Sequence, residues 1–413
     1  MPGHRLLARC RVCSSDRLSE FLSLGTMPLA NSFVSPESAE AEVAYPLAAL
    51  RCAECGLVQL SIIVAPEIMF KSYLYASSAS APLLTHYEAY AEAAVARFAL
   101  AGSVVVEFGS NDGVLLAPLA ARGVRVTGID PAANLAAVAN ARGLETWNEF
   151  FGEAVMRRFV AQKGPARVVI ANNVLAHVAD LGEILRGLEV ALAPDGVFIG
   201  EVPYLGDLIE HVEYDTIYHE HLSYFTLAPL ERLFASAGLR VFDVERQPIQ
   251  GGSIRIFVGR GQVHAETPAL VAFRRAESAQ GLADESTYRE FARRAAASRD
   301  ALRAMLIALR ADGKRVAGVG AAAKGNTMLN YCQIGPDLVE FIADSTPLKH
   351  GLLTPGMHIP VRPEAALMAE RPDYTVIFAW NFAEAIARKF SEYERAGGRF
   401  IHPIPLAHLY SAQ

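Results

Sequence analysis

Four of the five cysteines fall in two equally spaced pairs, Cys10-Arg-Val-Cys13 and Cys52-Ala-Glu-Cys55. A gap of two residues lets both sulfurs of a pair reach one ion from a single tight turn. Two such pairs supply the four thiolates of a tetrahedral zinc site. A disulfide pair or four unrelated thiols would leave this spacing unexplained. The second pair runs on as Cys55-Gly56-Leu57-Val58-Gln59-Leu60, a knuckle leading into a strand, as zinc ribbons are built. The 38 residues between the pairs call for a ribbon with an inserted loop. Four protein ligands leave no open coordination position, so the zinc is structural. Residues 1–75 are then a module too thin in apolar patterning to fold without its metal. The fifth cysteine, Cys332, stands in an apolar run and reads as a buried small hydrophobe.

The rest of the chain is long enough for further domains, since 413 residues at roughly 150 per domain give two or three. Hydrophobic residues make up 52% and charged residues 20%, with a mean hydropathy of +0.21. That composition fills sizeable cores and excludes a disordered chain. A net charge of −6 without a basic arm argues against a nucleic-acid scaffold. The longest uncharged stretches, Phe21–Pro36 and Ser72–Tyr87, carry Pro and Ser and fall short of the ~20 apolar residues of a membrane span. Met1-Pro-Gly-His-Arg runs into Cys10 without an apolar leader, so the expectation is a cytoplasmic protein that binds neither membrane nor nucleic acid. Oligomeric state is left open.

Beyond the Ser/Ala/Pro stretch Ala76–Pro82, strand and helix patterns alternate. Tyr87–Leu100 reads as an amphipathic helix, Val104–Phe108 as a strand, Val114–Ala121 as a helix, Arg125–Ile129 as a strand and Asn134–Arg142 as a helix. Val168–Asn172 and Val197–Glu201 follow as strands around the helix Leu181–Leu192. Such alternation builds a parallel α/β sheet with its ligand at the strands' carboxyl ends. Leu239–Val244 and Ser253–Gly259, on either side of Gln250-Gly251-Gly252, read as an antiparallel pair closing the sheet edge. His264–Asp312 reads as one long helical connector, and a second strand–glycine loop–helix unit begins at Lys314. The expected fold class is therefore α/β: a zinc ribbon (1–75), a central Rossmann-like domain (76–262), and a connector with a C-terminal Rossmann-like domain (263–413).

The first glycine loop is Val104-Val-Val-Glu107-Phe-Gly109-Ser-Asn-Asp-Gly113, and a second strand ends at Asp130, 23 residues after Glu107. Gly109 and Gly113 let the backbone approach a ligand, and a carboxylate at Asp130 can hold two ribose hydroxyls. The spacing lacks the G-x-G-x-x-G that makes room for a pyrophosphate. Glu107 ahead of the loop would repel a diphosphate but tolerate the ammonium and sulfonium of S-adenosylmethionine (SAM). Methyl transfer is the favoured chemistry.

Between Glu201 and His221 stand six carboxylates and three histidines, with no Lys or Arg. A solvated acidic loop and a second metal site are both conceivable, but His219, Glu220 and His221 lack the H-E-x-x-H spacing. Acid–base work suits the segment better. Histidine is poised to remove a proton near neutral pH, Tyr218 could hydrogen-bond a developing enolate, and Glu220 could orient a histidine. The residues alone do not separate His219 from His221. The second loop, Val316-Ala-Gly318-Val-Gly320-Ala-Ala-Ala323, fits a G-x-G-x-x-A dinucleotide fingerprint, with Asp344 where a ribose-binding acid would sit. Taken alone it argues for an NAD-dependent sugar oxidoreductase. Lys324 just beyond suits a phosphate chain instead.

Several of these pieces occur together, in order along nearly the whole chain. They are the two cysteine pairs, Val106-Glu107-Phe108-Gly109-Ser110-Asn111-Asp112-Gly113, Asn172-Asn173-Val174-Leu175-Ala176-His177, and Tyr214-Asp215-Thr216-Ile217-Tyr218-His219-Glu220-His221. Gly320-Ala-Ala-Ala-Lys324-Gly325-Asn326, Pro355–Pro360 and Trp380-Asn381-Phe382 complete the set. In these the sequence resembles the sugar C-methyltransferases, which act on nucleotide-linked keto-sugars. The resemblance implies a zinc module, a SAM-binding domain holding its cofactor through Glu107, Gly109, Ser110, Asn111, Asp130 and Asn172, and a C-terminal α/β domain. It also implies His221 as the base, with Tyr218, Glu220 and His177 beside it, and a nucleotide-sugar diphosphate at Gly320, Lys324 and Asn326. Position 219 is His where Asp would also fit the pattern, and it receives no role.

Overall fold

The two cysteine knuckles are joined by a pair of strands with a loop, residues 29–43, inserted between them. In a computed structural model that describes residues 3–69 and 81–411, the N-terminal strands are β1 (His4–Leu6), β2 (Leu18–Pro28), β3 (Ala44–Cys52), β4 (Val58–Leu60) and β5 (Ile62–Val64). Half of the chain between the pairs is taken up by β2 and β3, which pair antiparallel from Leu18↔Cys52 to Pro28↔Ala44. The second knuckle closes through Gly56 N to the Cys52 carbonyl at 2.9 Å, and Gly56 has φ +77°, which a side chain would strain. The proposed boundary between residues 75 and 76 lies outside the described residues.

The central strands are β6 (Val104–Phe108), β7 (Arg125–Ile129), β8 (Thr146–Trp147), β9 (Ala166–Asn172), β10 (Leu192–Pro203), β11 (Ser223–Tyr224), β12 (Leu239–Gln247) and β13 (Ser253–Arg260). Seven of them form one sheet in the order β12-β13-β10-β9-β6-β7-β8. From β10 to β8 the pairing is parallel, and β13 and β12 add an antiparallel pair at the edge, as their sequence indicated. Alternate residues serve opposite faces. Val105, Val168, Ile170, Val197 and Ile199 pack under the helix Ala81–Phe98, whereas Val106, Phe108, Val169 and Phe198 pack against Glu153–Lys163 and Leu181–Ala191. Burial on both faces is why these strands read as unbroken apolar runs. Truncating Phe108 to Ala would cost about 3–5 kcal/mol.

The short strand β11 leaves this sheet. It pairs antiparallel with β4, giving a four-stranded sheet in the order β11-β4-β3-β2. The segment directly after His221 is therefore the edge strand of the zinc module.

The expected connector His264–Asp312 is two helices, Pro268–Ala279 and Glu285–Ala311. Gly281, at φ +65°, ends the first in a left-handed turn that the Ala/Arg-rich pattern did not reveal. The second helix buries Tyr288, Phe291, Ala295, Leu302 and Leu306, and its Tyr288 ring meets Phe21 of β2 at 5.1 Å. The C-terminal strands are β14 (Val316–Val319), β15 (Ile342–Asp344), β16 (Val361–Pro363), β17 (Tyr374–Ile377), β18 (Arg399–His402) and β19 (His408–Tyr410). Their order is β16-β15-β14-β17-β18-β19, parallel except for β19. Cys332 is buried in the core here, with Sγ 3.5 Å from the Tyr214 hydroxyl. Among the described residues, no helix is long and apolar enough to cross a membrane.

Candidate active site

The four thiol sulfurs of Cys10, Cys13, Cys52 and Cys55 all lie within 4.8 Å of one another. Cys10 and Cys55 approach to 3.5 Å, and Cys13 and Cys52 to 3.6 Å. A Zn–S bond of ~2.3 Å requires tetrahedral edges of roughly 3.7 Å, so the donor set fits zinc.

One cavity of about 1670 Å³ has walls from all three parts of the chain. Its first wall is the carboxyl end of the central parallel strands. Gly109, at φ +65°, turns the chain at the end of β6, and a Cβ there would meet Val174 Cγ2 at 2.2 Å. Asp130, at the end of β7, accepts the Asn111 amide through Oδ2 and the Ala132 amide through Oδ1, both at 2.8 Å. Each oxygen keeps a second lone pair for a ribose hydroxyl. Glu107 is buried, and its Oε1 accepts from Asn172 Nδ2 at 3.3 Å. Burial, more than its neighbours Asp130 and Asp112, pushes the Glu107 carboxyl well above its ordinary range. Glu107 Oε2, Asn172 Oδ1 and Asn173 Oδ1 are buried acceptors with no hydrogen bond among the described residues. A cluster of unmet acceptors beside a glycine turn fits the cationic amino-acid and sulfonium end of SAM. Ser110 and Asn111 line the same wall.

The second wall carries the histidines. His221 Nδ1 lies 2.9 Å from the Thr216 carbonyl, which fixes the N–H on that nitrogen and leaves Nε2 as the acceptor. The Tyr218 hydroxyl donates to Nε2 at 2.9 Å. Tyr218 is thus turned toward His221, where the sequence had it open to an enolate. The His177 ring stands edge-on to His221 with centroids 4.8 Å apart. Burial, then the nearby His177, holds His221 well below its ordinary pKa; burial likewise brings His177 to about 4. Glu220 is also buried, and its carboxylate accepts from Asn31 Nδ2 at 2.7 Å, not from a histidine. Its link to a histidine runs instead through its backbone, which accepts from the His177 ring. Burial raises the Glu220 carboxyl to about 7. His219 points the other way: it is 1% exposed, Nε2 donates to the Pro46 carbonyl at 3.2 Å, and it does not line the cavity. The geometry thereby separates the two histidines that the residues alone left equivalent.

The third wall is the second glycine loop. Gly320, at φ +89°, passes so close to Ala379 that a Cβ would approach it to 2.6 Å. Asp344 accepts the Ala321 amide through Oδ2 and the Thr346 amide through Oδ1, both at 2.8 Å. Three lysines line this part of the cavity, of which Lys389 donates to Glu364 Oε2 at 2.5 Å. Lys324 Nζ lies over Trp380 at 4.6 Å, 3.4 Å from the Gln250 carbonyl and 3.9 Å from Glu213 Oε2. Lys349 Nζ donates to the Ala321 carbonyl at 2.8 Å and lies 3.7 Å from Asp344. Asn326 stands apart from the other expected site residues: it is 1% exposed, gives its Nδ2 to the Ala30 carbonyl at 2.7 Å, and is not among the residues lining the cavity. It ties the C-terminal domain to the zinc module. Asn31, Asn173 and Lys349 also line the cavity. Asn173 sat within a quoted motif; Asn31 and Lys349 carried no motif signal. Asn381, beside Trp380, lines the cavity too.

A glycine turn with paired acids, opening on a cavity that also holds a half-buried histidine–tyrosine pair, defines a SAM-dependent methyltransferase. Residues 248–405 match the family described as C-methyltransferase C-terminal domain, residues 83–244 a methyltransferase domain and residues 10–70 a zinc-binding domain. The C-methyltransferase NovU of Streptomyces niveus is 40% identical over 412 residues, covering 99% of this chain and 98% of that protein. The chain belongs to this C-methyltransferase family, and that membership replaces the oxidoreductase reading of the second loop. The ubiquinone biosynthesis O-methyltransferase of Methylobacterium sp. (strain 4-46) is 37% identical over 100 residues, 24% of this chain and 40% of that protein. Among solved structures, magnesium protoporphyrin IX methyltransferase from Synechocystis PCC 6803 with bound SAM matches with a TM-score of 0.34 and 15% identity, over 43% of this chain and 79% of that one.

Proposed function

We infer that the protein methylates a carbon next to the ketone of a nucleotide-linked keto-deoxysugar, with dTDP as the nucleotide, after removing a proton from that carbon. The observation that carries this reading is the Tyr218–His221 hydrogen bond on a cavity shared by both glycine loops. A saturated carbon beside a ketone becomes a nucleophile when its C–H is deprotonated, so methylation at such a carbon needs a base of this kind.

Bound SAM supplies the electrophilic methyl group. The chain's own residues do the rest. His221 is neutral because burial depresses its pKa, and its one free lone pair, on Nε2, is held by the Tyr218 hydroxyl until substrate enters. Tyr218 then turns its hydrogen to the sugar ketone oxygen, Nε2 takes the sugar proton, and the new Nε2–H donates to the Tyr218 oxygen. This stabilisation exists only as charge develops, which is where it lowers a barrier. His177 shapes the pocket beside the base. Glu107, Gly109, Ser110, Asn111, Asp130 and Asn172 hold SAM, and Gly320 and Lys324 face the sugar diphosphate. Lys349 adds a second ammonium on the same wall. Burial raises Glu213 to about 8, despite the opposing pull of Lys324, so much of the lysine's charge remains for phosphate. Residues 1–75, 76–262 and 263–413 act as zinc module, SAM domain and nucleotide-sugar domain of a cytoplasmic enzyme, where four free thiols are kept reduced for zinc.

Calorimetry with SAM, dTDP and NAD in turn tests the reading, followed by mass detection of one added CH2 on a panel of dTDP-4-keto-sugars. SAM and dTDP should bind independently, and one sugar should gain the methyl group. Binding of NAD with indifference to SAM would overturn it.

A further inference from the structure

Arg11 stands between two zinc ligands, yet its side chain leaves the zinc module. One guanidinium nitrogen, Nη1, donates to Ser223 Oγ, and the other, Nη2, donates to the Val178 carbonyl. Val178 follows His177 directly, and Ser223 lies two residues beyond His221. The same fork therefore ties down the two chain segments whose histidine rings meet at 4.8 Å on the cavity wall. Arg11 is itself held at its other end, where its backbone N–H donates to Gln59 Oε1 at 2.9 Å, and Gln59 is the β4 residue paired with Ser223 in the sheet. Gln59 Nε2 donates in turn to the Arg9 carbonyl at 3.2 Å. Further backbone bonds finish the clasp: Leu60 N to the Leu222 carbonyl at 3.2 Å, and Leu222 N to the Ala176 carbonyl at 2.7 Å.

The geometry points to Arg11 as a positioning residue for catalysis, a strut by which the zinc knuckle sets the spacing of His177 and His221. This rests on the histidine pair belonging to the reaction proposed above. The physical reason for an arginine is the planar fork, which reaches two acceptors in fixed directions. A lysine offers a single point charge on a flexible stem and cannot hold both. The strut does not touch the SAM wall at Glu107, Gly109 or Asp130, so its loss should leave cofactor affinity alone. A base displaced by about 1 Å costs on the order of 10²-fold in rate.

The test compares Arg11→Ala, Arg11→Lys, Ser223→Ala and Ser223→Thr with the wild type. Metal analysis, SAM calorimetry, amide hydrogen exchange of the SAM-bound protein and kcat with the dTDP-4-keto-sugar that the wild type methylates are read together. Arg11→Ala and Arg11→Lys should keep their zinc and bind SAM within about twofold, while exchange rises across residues 174–180 and 216–224. Their kcat should fall by roughly 10–100-fold with KM changed far less. Ser223→Ala should move the same readouts less, Ser223→Thr should restore them by keeping the hydroxyl, and Arg11→Ala with Ser223→Ala should be less than additive. Arg11→Ala with zinc, exchange and kcat all near wild type would overturn the inference, as would loss of zinc and SAM binding together in every variant. Should Arg11→Ala not fold, the Ser223 pair decides alone: equal kcat and equal exchange in Ser223→Ala and Ser223→Thr would overturn it. The exchange readout needs no sugar, so failure of the proposed reaction and failure of the strut remain distinguishable.

Discussion

Tyr218 gives its hydroxyl hydrogen to His221 Nε2 at 2.9 Å, while the opposite nitrogen of the same ring is anchored on the Thr216 carbonyl. The ring's tautomer and orientation are set before any substrate arrives. His221→Asn should lower turnover by roughly 10²–10⁴-fold, the usual range for losing a positioned base. Tyr218→Phe should cost less, because the base remains. Steady-state kinetics beside SAM and dTDP titrations checks both, since a base contributes little to ground-state binding.

The same depressed pKa fixes the sign of a pH effect. The base role proposed for His221 requires its neutral form, and burial moves its protonation to lower pH. The acid limb of kcat/KM assigned to His221 should therefore lie below the ordinary 6.5, with the neutral form prevailing above. A pH–rate profile showing a His221-dependent limb at or above 6.5 would contradict this.

Glu213 gives a stability prediction with its sign determined. Burial raises its carboxyl from the ordinary 4.5 to about 8. The folded state therefore holds a proton that the unfolded chain has released across that interval. Stability from this group is complete below about 4.5 and is lost as pH rises through about 8. Glu213→Gln should be more resistant to urea than the wild type at pH 8.5, and the difference should shrink toward pH 5. Equal pH slopes in the two proteins would count against the assignment.

Asp130→Ala should weaken SAM binding by roughly 1–3 kcal/mol, because ribose hydroxyls lose a charged acceptor. The Asn111 and Ala132 amides lose theirs too. Calorimetry measures the loss; unchanged affinity in a folded variant would place the adenosyl ligand elsewhere.

Metal analysis should find about one zinc per chain. Cys52→Ser should release it and, because β11 pairs with β4, should also raise amide exchange at Ser223 and Tyr224. A zinc-free protein with unchanged exchange there would separate the metal from the active-site edge.

The central parallel strands were legible because both faces are buried: Val104–Phe108, buried along its whole length, occurs where its apolar run indicated. The glycine turns and acids were legible because local backbone chemistry demands them. What escaped depended on distant partners. The pairing of β11 with β4 joins segments far apart in sequence and leaves no local pattern. Which of His219 and His221 turns to the Pro46 carbonyl and which to the cavity depends on partners distant in sequence. Asn326 belonged to a glycine-loop motif yet serves the Ala30 carbonyl, and Asn31 reaches Glu220 from a module whose visible signal was its cysteines.

The central claim is that His221 removes a proton from a carbon beside a sugar ketone. Hydrogen–deuterium exchange at that carbon of a dTDP-4-keto-sugar in D2O, followed by mass spectrometry without SAM, tests it apart from methyl transfer. The wild type should catalyse the exchange, and His221→Asn should not, while still binding SAM and dTDP. Exchange at the wild-type rate in His221→Asn, with His219→Asn inactive, would contradict the account.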